Sequence, residues 1–273
     1  MKIVFSLILL ILCLQEIFAR NVQTSSDVSD KFLRIVLLDD NNNNNFVDDE
    51  NVDIKDYPWM VSVVQYSAYN NRWNHICGGS LLTTNFVLTA HHCLPNDKNN
   101  PNVLSVRSGS SSRFGGIIHS IKKIIPHPQG YDVRYDLAIL QIYPRVQFLG
   151  GTSLPIQIFI GKVNPGTHGL ILGWGYAHLY PRKEVNFLQK AEVTLMSKDY
   201  CEKFTGRGDF LLCSMETDAG VCSGDSGGPL VIDNQLAGVI SIGGCESPSH
   251  ANSFVNISYH REWIESVIEP KFF

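Results

Sequence analysis

From Tyr57 onward, short apolar runs alternate with clusters of Gly, Pro, Asn and Ser. The runs 59–66, 80–90, 103–107, 116–125 and 137–142 form a first set, and 169–175, 187–195, 229–242 and 253–257 a second. They are rich in Val, Ile, Leu and Thr, the residues that fit a pleated surface, and each is bounded by turn formers, so each predicts a strand. Asp233-Asn234 interrupts the run 229–242 and predicts a hairpin turn inside it. Many short strands without intervening helices predict an all-β barrel or sandwich architecture rather than a parallel βαβ sheet. Residues 143–168, rich in Gly and Pro, predict a connection between two halves. Only the last segment reads as a helix: Trp263, Ile264, Val267 and Ile268 share one face, with Ser258 placed to cap the start and Pro270 to stop it. Trp59, Trp174 and Trp263 read as core residues.

The first 56 residues follow a different pattern. Lys2 precedes an apolar stretch that ends at the small residue Ala19, the layout of a secretory signal peptide over 1–19. Glu16 breaks that stretch short of the roughly 20 apolar residues needed to cross a bilayer, so no membrane association is expected. Residues 20–45 are polar and end in five asparagines, a composition that cannot bury enough apolar area to offset its ordering entropy. They read as a propeptide, with the folded domain following over 46–273 and an extracellular, secreted product. Cys13 leaves with the signal peptide, so Cys77, Cys93, Cys201, Cys213, Cys222 and Cys245 remain. An even number in a secreted chain predicts disulfides, though spacing alone leaves every pairing open. With 22 Lys and Arg against 26 Asp and Glu there is no basic face for nucleic acid.

The strongest chemical signal is Gly-Asp-Ser-Gly-Gly-Pro at 224–229. A serine hydroxyl becomes a nucleophile only beside a base, and attack on a carbonyl needs N–H donors aimed at the developing oxyanion. Glycines around Ser226 let the backbone turn to supply such donors. Thr-Ala-His-His-Cys at 89–93 offers His91 and His92 as bases, and Tyr-Asp-Leu-Ala-Ile-Leu offers Asp136 as the orienting acid, with Asp132 a rival.

Across 57–268 these motifs resemble the chymotrypsin and trypsin family, as do Cys-Gly-Gly-Ser at 77–80, Gly-Trp-Gly at 173–175 and the chain order His, Asp, Ser. The resemblance implies two six-stranded antiparallel Greek-key barrels with a C-terminal helix, the first over about 46–150 and the second over about 151–273. It implies a serine endopeptidase with His92, Asp136 and Ser226 as its triad and the N–H groups of Gly224 and Ser226 as its oxyanion hole. It implies disulfides Cys77–Cys93, Cys201–Cys213 and Cys222–Cys245. It also implies protein substrates, an activating protease, protein inhibitors and a monomer; neither a metal nor a cofactor is expected.

Two departures stand out. In the family a freed Ile-Val-Gly-Gly terminus pairs with the aspartate before the nucleophile, here Asp225. Register places that terminus at Phe46, where the sequence reads Phe-Val-Asp-Asp after an asparagine; Ile35, after Arg34, is the alternative. The pocket-base position is Gly220 where trypsin-like enzymes carry aspartate, with Asp218 two residues away and Ser241, Gly243 and Asn252 as walls. A neutral pocket predicts apolar or aromatic preference. The odd terminus keeps open a second reading, a secreted homologue that binds or regulates without cleaving. Asn256-Ile257-Ser258 is an N-glycosylation sequon.

Overall fold

The computed structural model describes residues 52–269 apart from 98–99, 149, 177, 180–181, 216–220 and 244–250. The signal peptide and propeptide, both candidate termini Ile35 and Phe46, and Asp218, Gly220, Cys245 and Pro270 lie outside the described residues.

The first half of the domain folds as β1 (Met60–Ser67), β2 (Arg72–Leu81), β3 (Phe86–Thr89), β4 (Leu104–Ser108), β5 (Ile117–Pro126) and β6 (Ala138–Tyr143), of which β2 lies almost wholly outside the predicted runs. These close into an antiparallel barrel in the order β1-β2-β3-β6-β5-β4, which leaves no free sheet edge. Val61, Val63, Leu88, Val106 and Ile139 are fully buried in its core. Alternation turns Ser62 to the other face of β1, where it meets His75.

The second half gives β7 (Gln157–Ile158), β8 (His168–Gly173), β9 (His178–Leu179), β10 (Arg182–Lys183), β11 (Gln189–Thr194), β12 (Leu211–Ser214), β13 (Pro229–Ile232), β14 (Gln235–Ile242) and β15 (Asn252–Asn256), of which β7, β9, β10 and β12 were not among the predicted runs. Six of them run β11-β8-β13-β14-β15-β12, and a bridge between Leu195 and Ser214 joins the two ends. The short β7 adds in parallel to β14, while β9 and β10 form a separate hairpin. Phe254 is fully buried here among Ile171, Leu230 and Ile240; burying such a side chain contributes about 1.5–3 kcal/mol. Asp233 and Asn234 turn the β13–β14 hairpin at φ 50° and 59°, the left-handed pair that matches strand twist.

Three local readings need correction. The run 80–90 is not one strand: it holds the last two residues of β2, a turn, and β3, because Leu82 N–H bonds the Phe86 carbonyl and the Thr83 hydroxyl accepts from Asn85 and Phe86 N–H. Such local side-chain bonds offer the backbone an alternative to the ladder. A second helix, α1 (Lys198–Thr205), is present, capped by Ser197 and closed by Gly206 at φ 66°. Cys201 is its only buried residue, so it lacks the apolar stripe that marks a helix in sequence. At the C-terminus, Ser258 does not cap the α-helix. Asn256 accepts from Ser258 N–H and caps a 3-10 turn over Ile257–His260, and α2 (Arg261–Ile268) continues from it. The predicted apolar face of α2 does pack on the core.

Cys77–Cys93 and Cys201–Cys213 are bonded, with Cα atoms 6.2 and 5.4 Å apart. Cys222 is also disulfide-bonded. Closing a loop the length of the one between Cys201 and Cys213 stabilises by about 3 kcal/mol through the unfolded chain.

Candidate active site

His92 sits in a 3-10 turn (His91–Cys93) that follows β3 and is tied to β2 by the Cys77–Cys93 disulfide. Asp136 ends a second 3-10 turn, Val133–Tyr135, just before β6. β3 and β6 are neighbours in the barrel, which brings the two residues together. His92 Nδ1 lies 2.7 Å from Asp136 Oδ2, and His92 N–H donates to Oδ1 at 2.9 Å. The Ser241 hydroxyl, from β14 of the other barrel, donates to Oδ2 at 2.6 Å. Burial pushes the Asp136 carboxyl up, but these donors hold it below its ordinary value. Nδ1–H therefore faces the carboxylate, and Nε2 of the half-exposed His92 ring is left to work as a base.

The rival residues are otherwise engaged. Asp132 caps the Val133–Tyr135 turn through Arg134 N–H and is forked by the Arg134 guanidinium, whose hydrogen bonds push it down to about 2. His91 is buried, its ring edge-on to Tyr131. Cys77, His92 and Cys93 cluster closely, but the two sulfurs are joined to each other and offer no thiolate to a metal.

Ser226 lies half-buried in a tight turn between the barrels. Its carbonyl accepts from Gly78 N–H of β2 at 2.8 Å, while Gly227 N–H donates to the Ile240 carbonyl of β14 at 2.8 Å. The turn is thus pinned from both sides before any substrate arrives. Asp225 is buried, accepting from Gly175 N–H at 2.8 Å and Cys222 N–H at 2.9 Å. A Cβ on Gly173 would lie 1.9 Å from Asp225 Oδ1, and one on Gly175 2.4 Å from Oδ2. That close approach is the physical reason for glycine at both ends of Gly-Trp-Gly. Among the described residues no cation meets this carboxylate, and burial pushes it up to about 6.

His75 was not singled out by sequence. Its Nε2 lies 2.9 Å from the Gly224 carbonyl and its Nδ1 2.7 Å from the Ser62 hydroxyl. Burial pushes the ring down to about 4, so it is neutral at ordinary pH. A carbonyl only accepts, so Nε2 carries the proton and Ser62 donates to Nδ1. The tautomer is fixed, and Gly224 is held against β2. The only sequence sign of this role was a histidine two residues before Cys77.

Of the pocket residues, Ser241 and Asn252 are buried and Gly243 is half-buried. The Asn252 amide accepts from Val221 N–H at 3.2 Å and donates to Ser214 Oγ at 3.1 Å. Asn252 therefore ties β15 to the 221 segment rather than offering its amide to the cleft. Asn256 is half-buried at the end of β15, its Oδ1 taken up by Ser258.

A family model described as Trypsin matches residues 46–264. The sequence is 34% identical over 228 residues to Trypsin 5G1 of Aedes aegypti, covering 79% of this chain and 82% of that protein. It is 32% identical over 222 residues to Trypsin iota of Drosophila melanogaster, covering 77% and 83%. Among solved structures, neuropsin, a serine protease expressed in the limbic system of mouse brain, superposes with a TM-score of 0.67. The two are 28% identical, over 79% of this chain and 96% of that one.

Proposed function

The chain belongs to the trypsin family and is a serine-type endopeptidase, and from that premise we propose how its own residues carry the reaction. His92 Nε2 takes the Ser226 hydroxyl proton, and Ser226 Oγ bonds to a peptide carbonyl carbon. Asp136 holds the ring and stabilises the imidazolium. The N–H groups of Gly224 and Ser226 hold the oxyanion, a donor of this kind contributing about 2.7–4 kcal/mol in the transition state. The proton then passes to the leaving amine, and water cleaves the acyl-enzyme by the same route in reverse. The observation that carries this reading is the three-donor clamp on Asp136, which joins both barrels at one carboxylate.

We read the protein as made in inactive form and secreted. The support is Asp225, a buried carboxylate without a cation among the described residues, in a chain with a candidate signal peptide and propeptide. An activating protease frees a terminus, Phe46 by register with Ile35 the alternative, and its ammonium group neutralises Asp225. The acyl-side pocket, with Gly220 at its base and Ser241 and Gly243 on its walls, carries no charge of its own and prefers apolar or aromatic side chains. The enzyme acts as a monomer and is open to protein inhibitors.

The test is fluorophosphonate labelling of the secreted chain before and after limited proteolysis, with N-terminal sequencing of each labelled band. Labelling is expected only once Phe46 or Ile35 leads the chain, and not in Ser226→Ala. Failure of every processed form to label would leave the non-catalytic reading in its place.

A further inference from the structure

Two cavities with no lining residue in common lie at the candidate site. One holds His92, Asp136, Tyr131 and Ile242. The other, about 220 Å³, lies beyond Gly224 and is walled by His75, Trp174, Arg113 and Glu184. A peptide whose acyl side enters the pocket proposed at Ser241 and Gly243 passes Ser226, and its leaving-group side is directed toward the second cavity, which Ser223 and Gly224 line.

Arg113 is unusual among its walls. Its side chain is 13% exposed. Of five guanidinium donors, one group meets Glu184, the guanidinium's one acceptor among the described residues. Its Nε is buried with no acceptor among the described residues. The guanidinium carbon lies over the Phe114 ring, 4.7 Å from its centroid, a cation–π contact that restrains the side chain. A permanently charged, planar donor set short of acceptors is matched by a carboxylate, which can accept two parallel N–H bonds. Glu184 does not remove that demand, because its own side chain is 57% exposed and an ion pair with one half in water is readily exchanged. His75 adds no competing charge, since burial keeps it neutral.

We infer that Arg113 is a specificity-determining residue that receives an acidic side chain one or two residues after the scissile bond, displacing Glu184 as it does so. The inference rests on the protease reading for the direction of the peptide, and its test separates the two.

Binding is read first, without turnover, on processed Ser226→Ala protein. Fluorescent peptides spanning the scissile bond carry Glu, Gln or Lys at the first or second following position. Glu is expected to bind about tenfold more tightly than Gln at one of these positions, and the advantage should shrink in 1 M salt. Arg113→Gln should abolish it, and Glu184→Gln, which removes the internal competitor, should enlarge it. Equal affinity for Glu and Gln at both positions overturns the inference with no variant needed. Turnover then checks the role: a peptidyl nitroanilide with no residue beyond the scissile bond should be cleaved equally by wild type and Arg113→Gln. A matching loss on that short substrate would make Arg113 a structural residue and also overturn the inference. A Glu preference in binding with no fluorophosphonate labelling of the processed wild type would sink the protease reading alone.

Discussion

Asp136 and Asp225 are both buried carboxylates, and the two halves of the site treat them in opposite ways. Asp136, on the first barrel, receives three donors, two from His92 and one from Ser241, and is held below its ordinary value. Asp225, in the turn of the second barrel, receives two backbone N–H groups and is pushed up to about 6. Burial opposes charge at both positions, so the difference lies in the partners. His92 and Asp136, the proposed base and its orienting acid, are complete within the first barrel and one serine of the second. The turn of Ser226, the proposed nucleophile, is built around a carboxylate that still lacks a counter-charge among the described residues.

The comparison breaks most visibly at Asp136. Asp136→Asn keeps the shape but lets His92 take the wrong tautomer, and kcat should fall about ten-thousand-fold. Steady-state hydrolysis of a peptide amide by the processed enzyme checks this, and a loss under tenfold would mean that His92 is oriented by something else.

Next in size is Asp225. Asp225→Asn, or Gly175→Ala, which drives a methyl group into the carboxylate, should lower kcat by about a hundred- to a thousand-fold, the size of a lost oxyanion donor. The two carboxylates should also differ in pH dependence. A carboxyl raised from 3.8 to about 6 binds its proton more tightly when folded, so its contribution to stability is present below about 3.8 and lost as pH rises through 6. That loss is on the order of 3 kcal/mol in the unprocessed chain. Asp136, held low, contributes in the opposite sense, its stabilisation being lost as pH falls. Urea unfolding of the unprocessed chain at pH 4 and pH 7, with Asp225→Asn alongside, isolates the Asp225 slope. An identical slope in the variant would refute it.

Smaller effects sharpen the contrast. Ser241→Ala removes the donor that links Asp136 to the second barrel, and kcat should fall about tenfold with little change in KM. Asp132→Asn, on the half-buried cap beside the proposed triad, should leave kcat unaltered and cost under about 1 kcal/mol of stability in a thermal melt.

Much of this was legible along the chain because it is local. Apolar runs bounded by turn residues placed ten of the fifteen strands among the described residues, and the left-handed Asp233-Asn234 turn was readable from two residues, but β2 and the short β7, β9, β10 and β12 left no such run. The residues for nucleophile, base and acid stood in motifs whose composition reflects backbone geometry. The α1 helix was not legible, since a short helix with one buried residue leaves no apolar period. Nor was the break at Leu82–Asn85, where side-chain hydrogen bonds rather than hydrophobicity end the strand.

What the sequence determined by itself was the class of fold and which residues are candidates to react, because turn-bounded apolar runs and motif chemistry are written within a few residues of each other. Only the tertiary structure decided which partners those groups meet. His75 reaches Gly224 across 149 positions, Ser241 reaches Asp136 across 105, and Arg113 faces Glu184 across 71. Charge state follows from burial and from such distant donors together. The lowered carboxyl of Asp136, the raised one of Asp225 and the under-satisfied guanidinium of Arg113 therefore exist only once the two barrels have closed on one another.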